Sequence, residues 1–280
     1  MSIIWITVLV LGITGVIAAI VLWFVAKKFY VYEDPRVAEV EEHLPGANCG
    51  SCGYSGCHAF ALACVGAETL DGLYCPGAGS EAMGKIAAIV GLAAVESVPK
   101  VAVVQCGGDC DARPHRAEYD GVSSCAMEAS IFSGEGDCVY GCLGCGDCVA
   151  SCRFGAIHID PETHLPVVDY EKCVGCGACV GACPRKVMAL VEHPAGEPLV
   201  WVECNNHDKG PVATKECSVS CIGCTKCKRV CPADAVTMDN FLSRIDTAKC
   251  IGCGTCIEAC PRKCITSIGE LKPILKEENN

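Results

Sequence analysis

The first hydrophobic pattern is an unbroken one. Residues 3–26 carry no charged side chain, which as a helix gives roughly 36 Å, enough to cross a bilayer core of about 30 Å. Trp5 and Trp23 sit near the two ends, where interfacial aromatics are found. Nothing basic precedes the run, unlike a cleaved signal peptide. Lys27 and Lys28 follow it directly, and the positive-inside rule then puts everything C-terminal in the cytoplasm. Beyond residue 28 the pattern becomes periodic. Asp34-Pro35 predicts a helix start, with Val37, Val40 and Leu44 on one face before Pro45-Gly46 stops it. Residues 80–98 read as an Ala/Ile/Leu-faced helix with Ser80 as N-cap, and Val101–Gln105 as a short strand. Alternation then predicts two hairpins, Ala156–Asp160 with Leu165–Asp169 and Val236–Asp239 with Ser243–Asp246.

Composition changes this picture in one respect. Hydrophobic residues make up 51% of the 280, yet aromatics are only 6% and 28 residues are cysteine. A chain so poor in aromatics has little conventional core, and metal–thiolate bonds are expected to constrain the fold instead. The formal charge of −11 argues against nucleic-acid binding. Cysteines kept as ligands need a reducing compartment, which agrees with the cytoplasmic side. None of the seven histidines lies in a metal-like pair, and no flavin, nicotinamide or nucleotide motif is present.

The cysteines are strongly patterned. Cys125, Cys138, Cys142, Cys145, Cys148 and Cys152 recur 79 residues later as Cys204, Cys217, Cys221, Cys224, Cys227 and Cys231. Each set is followed by another C-x2-C-x2-C-x3-C run: Cys173, Cys176, Cys179, Cys183, then Cys250, Cys253, Cys256, Cys260. This is a duplication of the bacterial two-cluster ferredoxin pattern. In that pattern the fourth cysteine of each run serves the other cluster. The predicted quartets are therefore Cys142, Cys145, Cys148 with Cys183; Cys173, Cys176, Cys179 with Cys152; Cys221, Cys224, Cys227 with Cys260; and Cys250, Cys253, Cys256 with Cys231. Zinc prefers two separated pairs, and a disulfide scaffold is usually much shorter. The spacing Cys138-x3-Cys142-x2-Cys145 resembles a radical S-adenosylmethionine motif, but such enzymes need a large α/β barrel after it. Lys172, Lys249, Arg185-Lys186 and Arg262-Lys263 flank the runs, where they offset cluster charge or serve docking.

Two further groups precede the duplication. Cys49, Cys52, Cys57 and Cys75, with Gly50, Gly53 and Gly56 between them, form a non-ferredoxin metal motif; its iron–sulfur neighbours favour a [4Fe–4S] cluster over zinc. Cys64, in an apolar helical context, reads as a core cysteine. Cys106, Cys110, Cys125 and Cys138 form a looser set able to hold a sixth cluster. The copy at 204–217 retains Cys204 and Cys217 and lacks counterparts of Cys106 and Cys110.

The order of these features, with Leu44-Pro45-Gly46-Ala47-Asn48-Cys49-Gly50-x-Cys52-Gly53-x-x-Gly56-Cys57 after the apolar run and Cys138-x-Tyr140-Gly141-Cys142 before the ferredoxin runs, resembles the B subunit of the Rnf complex, the membrane ion-translocating ferredoxin:NAD oxidoreductase. The likeness runs along essentially the whole chain. It implies an iron–sulfur domain on Cys49, Cys52, Cys57 and Cys75. It also implies uptake of electrons from soluble reduced ferredoxin, their passage to the other membrane and peripheral subunits, and coupling to Na⁺ or H⁺ transport. Family members can lack a cysteine at the position of Cys145, and Cys138, Cys142, Cys148 and Cys152 then form the ferredoxin set, so Cys138 and Cys145 stand as alternative ligands. An electron-transfer subunit of a hydrogenase or formate dehydrogenase is the runner-up, disfavoured by the Cys49–Cys75 motif directly after an anchor. The expected fold is α+β: an anchor (1–28), a small mostly α four-cysteine domain (29–98), a cysteine-containing connector (99–137), two tandem two-cluster ferredoxin modules (138–200 and 201–270) and a polar tail (271–280). At least five [4Fe–4S] clusters are expected, in a wire with no bond-making active site of its own.

Overall fold

A computed structural model describes residues 2–28, 33–94, 97–194 and 196–272; most of the expected tail, 273–280, lies outside them. The apolar run forms one helix, α1 (Ser2–Lys28). Its span from Trp5 to Lys28 is long and apolar enough to cross a membrane, and the protein buries none of it.

Three helices then make a small domain. In α2 (Pro35–Glu42) the Asp34 side chain accepts the Arg36 N–H, as the Asp-Pro pair predicts. It packs with α3 (Cys57–Gly66) and α4 (Gly79–Val90) around Val37, Val40, Phe60, Leu70, Met83 and Ile86. The expected Ser80 cap is not formed. The helix begins at Gly79 behind Ala78, without a side-chain cap, and ends at Val90 because Gly91 turns left-handed (φ 76°).

The remainder is one architecture built twice. The first copy runs through β1 (Lys100–Val104), α5 (Cys125–Ile131), α6 (Asp147–Ser151), β2 (Ile157–Ile159), β3 (Pro166–Val168), α7 (Ala178–Ala182) and β4 (Met188–Glu192). The second runs through β5 (Leu199–Val202), α8 (Gly210–Glu216), α9 (Lys226–Val230), β6 (Val236–Asp239), β7 (Leu242–Ile245), α10 (Thr255–Ala259) and β8 (Ile265–Ile268). Both expected hairpins form, with Ile157 opposite Val168 and Val236 opposite Ile245. Each copy also closes its ends against each other: β1 pairs antiparallel with β4, Val104 opposite Met188, and β5 with β8, Val202 opposite Ile265. The strand at 100–104, expected within a connector, is thus part of the first module's sheet.

The two modules share an apolar seam of Val101, Val103, Leu199 and Trp201, all buried. The Trp201 indole donates across it to the Val104 carbonyl (3.0 Å), satisfying a polar group that burial would otherwise penalise.

Candidate iron–sulfur centres

Four short helices, α6, α7, α9 and α10, each carry the third cysteine of a run, and each is entered through a left-handed residue: Gly146, Gly177, Thr225 and Gly254. That reversal turns the chain from the cysteine loop into the helix. Glycine adopts it freely; Thr225, at φ 60°, holds it at a steric cost.

Three cavities result. One is lined by Cys221, Cys224, Cys227 and Cys260, with Met238, Ser243 and Cys264 beside them. A second is lined by Cys152, Cys173, Cys176 and Cys179 among Ala102, Phe154, Ile157 and Leu190. Both hold the quartets that the cross-over pattern predicts. The third differs: its cysteines are Cys142, Cys148, Cys183 and Cys125. Cys145 does not line it: its thiol donates to the Glu128 carboxylate (3.0 Å) and lies within hydrogen-bond reach of Cys125. Cys125, expected beside Cys106 and Cys110, starts α5 and points to this cavity instead. The remaining run is also drawn together, since Cys250 and Cys256 both lie within electrostatic reach of Cys253 and Cys231.

In the N-terminal domain Cys57 and Cys75 are buried with Cys52 against them, and Cys75 feels both Cys52 and Cys49. Asn48 pins this loop by accepting the Cys57 N–H (2.8 Å). Cys64 is fully buried; desolvation pushes its thiol up to about 11, as befits a core residue.

The chemistry of these donor sets fits polynuclear clusters. Each of the three cavities is lined by four or more cysteines, the ligand type of iron–sulfur clusters. Burial pushes Cys142, Cys179 and Cys256 up to about 12, so as thiolates they need compensating positive charge, which a metal supplies. Backbone donors face the sulfurs, as in Ala102 N–H to Cys173, Ala156 N–H to Cys152 and Ala235 N–H to Cys231, each 3.4 Å. The basic residues flanking the runs are partly committed to the frame. Arg185 donates to the Val139 carbonyl, and its counterpart Arg262 donates to those of Cys217 (3.0 Å) and Ser220 (3.3 Å).

The duplication also has a different register from the one the spacing suggests. Gln105 N–H donates to Val187 O, and Glu203 N–H to Cys264 O. Immediately after, Cys106 Sγ accepts the Cys142 N–H (3.4 Å) and Cys204 Sγ accepts the Cys221 N–H (3.2 Å). Cys204 is therefore the counterpart of Cys106, not of Cys125.

Known proteins agree with this architecture. Residues 141–187 and 214–261 match families described as "4Fe-4S dicluster domain", and residues 44–71 match the FeS family of Fe-S cluster domains. The chain is 43% identical to the B subunit of the Na(+)-translocating ferredoxin:NAD(+) oxidoreductase complex of Acetobacterium woodii, over 86% of this chain and 71% of that protein. It is 38% identical to the B subunit of the proton-translocating ferredoxin:NAD(+) oxidoreductase complex of Clostridium ljungdahlii, over 85% and 82%. A third relative, the B subunit of the ion-translocating oxidoreductase complex of Methanosarcina acetivorans, is 37% identical over 87% and 90%. The chain belongs to this B-subunit family. Its fold is accordingly an N-terminal apolar helix, an Fe-S domain and two dicluster ferredoxin modules. That family membership leaves the fourth corner of the first cavity to the geometry, which brings in Cys125, a residue that no ferredoxin run contains.

Proposed function

We propose that this chain is the membrane-anchored electron-transfer subunit of an ion-translocating ferredoxin:NAD oxidoreductase, accepting electrons from reduced ferredoxin at its dicluster modules and handing them to membrane partners through the N-terminal domain. [4Fe–4S] clusters, when bound, supply one-electron carriers. Five sets of this chain's residues would hold them: Cys49, Cys52, Cys57 and Cys75; Cys125, Cys142, Cys148 and Cys183; Cys152, Cys173, Cys176 and Cys179; Cys221, Cys224, Cys227 and Cys260; and Cys231, Cys250, Cys253 and Cys256. In the second set Cys125 takes the corner that sequence spacing gives to Cys145, for which the family resemblance offers Cys138 as the alternative. The chain encloses these positions in apolar walls and offers backbone N–H groups to their sulfurs, the environment that tunes reduction potentials.

One observation carries the order of the wire. The N-terminal domain abuts the first module at its own metal site: Arg153 donates to the Ala47 carbonyl (3.1 Å), Phe154 lies against Gly77, and Cys176 feels the charge of Cys49. The Cys49–Cys75 site is thus next in line after the Cys152–Cys179 site, and the short segment from α1 keeps it near the bilayer. The cytoplasmic side of the membrane is the side we assign to everything after Lys28. The relatives include both a Na⁺ and a proton translocator, so the coupling ion is one of these two.

The test is replacement of Cys49 and Cys52 by serine in the assembled complex. Rapid mixing with reduced ferredoxin is expected still to bleach the downstream clusters, while ferredoxin-driven NAD reduction is lost. Full turnover would refute the order. Loss of downstream bleaching with those clusters intact would reverse it.

A further inference from the structure

The five quartets leave eight of the 28 cysteines: Cys64 and Cys264 pack in cores, Cys145 bonds Glu128, Cys204 accepts the Cys221 N–H, and Cys106, Cys110, Cys138 and Cys217 lie at the junction of the two modules. Cys138 and Cys217 are buried in a common small cluster with Ala112. The Cys138 thiol is within electrostatic reach of Cys106 and Cys217, and Cys217 is within reach of Cys106. Cys217 Sγ lies so close to Gly108 that a Cβ there would sit 2.9 Å from it, so glycine is what lets the 106–110 loop close over the thiol. Cys110, from the same loop, lines an open cavity with Cys138, Arg113 and His115.

Both modules hold this loop. Gly107 N–H donates to the Glu203 carbonyl (3.0 Å) and Ser218 N–H to that of Ala112 (2.8 Å), while Arg113 donates to the Cys142 carbonyl (2.7 Å). Asn206, 1% exposed, directs its amide N–H at Cys138 Sγ (3.5 Å) and at Glu216 (2.7 Å). The cations Arg113 and Arg262 both act on Cys217. Four thiols from three segments, an amide donor aimed at one sulfur and two guanidinium groups are the environment of an anionic thiolate-ligated cluster. Packing as small apolar side chains would require neither the donor nor the cations.

We infer that Cys106, Cys110, Cys138 and Cys217 bind a sixth [4Fe–4S] cluster that joins the two ferredoxin modules. Three ligands belong to the first module and one to the second, so the site exists only when the modules are docked. On the electron-wire reading given above, it is the relay between the Cys221–Cys260 site and the Cys125–Cys183 site.

The full-length chain, reconstituted anaerobically, is analysed for iron and acid-labile sulfide, with Cys138→Ser, Cys217→Ser and the double variant beside it. Six clusters predict about 24 irons per chain, against about 20 for five. Each single variant is expected to lose about four irons or to convert one cluster to a three-iron form visible by electron paramagnetic resonance. The double variant is expected to lose the same four rather than about eight. A wild-type count near 20, or variants that keep every iron, would overturn the site. Where a variant unfolds and loses more, the wild-type count decides. The wire reading fails separately: a lost cluster with undiminished electron exchange between the modules would leave the site standing and remove its relay role.

Discussion

The two ferredoxin modules use one frame to build unequal cysteine-lined cavities. In the second, the first cavity is bounded by the predicted run, Cys221, Cys224 and Cys227, with Cys260. In the first, the residue equivalent to Cys224 is Cys145; it hydrogen-bonds Glu128 instead, and Cys125 from α5 lines the cavity. The wall differs as well: Val187 stands where the second module has Cys264. The frame itself barely changes, with the same end-to-end strand pairing, the same hairpin and the same arginine pinning the loop before the first cysteine. Strand register and left-handed turns therefore set where a cluster goes, while individual corners can be exchanged around it.

The comparison breaks most completely if the clusters are not what holds both modules. Each module's core contains its cavity cysteines among a few aliphatic residues, such as Ala102, Ile157, Val168 and Met188 in the first and Val200, Val236, Leu242 and Ile265 in the second. Oxidative removal of iron is expected to abolish the cooperative unfolding transition of both modules, because cluster binding energy is folding energy here. The N-terminal helices, packed on Phe60, Leu70, Met83 and Ile86, are expected to retain most of their circular dichroism. Modules that keep a sharp transition after iron removal would refute this.

Corner exchange makes a narrower prediction. Cys125→Ser is expected to cost about four irons per chain, or to yield a three-iron cluster, while Cys145→Ser keeps the full count. In the second module Cys224→Ser is expected to behave like Cys125→Ser. Iron loss in Cys145→Ser with none in Cys125→Ser would restore the ferredoxin spacing to the first module and make the modules equivalent.

The features that sequence revealed were local ones. The uncharged run, the Asp34-Pro35 start, both hairpins and the cysteine runs each announce themselves within a few dozen residues, and the structure places them accordingly, Cys145 excepted. The β1–β4 pairing links segments more than 80 residues apart, where no periodicity points from one strand to the other. The Cys125–Cys204 match at an offset of 79 was misleading for a related reason. The first module carries a longer stretch between its first strand and its first run, so the true counterpart of Cys204 lies further back, at Cys106, and an unrelated cysteine fell on the matching interval. Cys125's place was illegible because a thiol gives the same sequence signal whether it faces a cluster or the core; the hydrogen bond between Cys145 and Glu128 is what separates them.

The subtlest difference between the modules is Cys264 against Val187. Cys264 is buried, its Sγ is 3.7 Å from that of Cys260, and its single S–H, available to Cys260 or Cys221, holds both below the ordinary thiol range. Such a donor stabilises negative charge on the ligand sulfurs and so favours the more electron-rich, reduced cluster. Valine cannot donate. Cys264→Val is therefore expected to leave the iron content unchanged and to lower the reduction potential of the Cys221–Cys260 cluster, by on the order of tens of millivolts. The reciprocal Val187→Cys is expected to raise the potential of the Cys125–Cys183 cluster. Redox titration followed by electron paramagnetic resonance reads both shifts. A drop of about four irons in Cys264→Val would make Cys264 a ligand rather than a donor, and unmoved potentials in both variants would mean that the two walls are electrostatically alike.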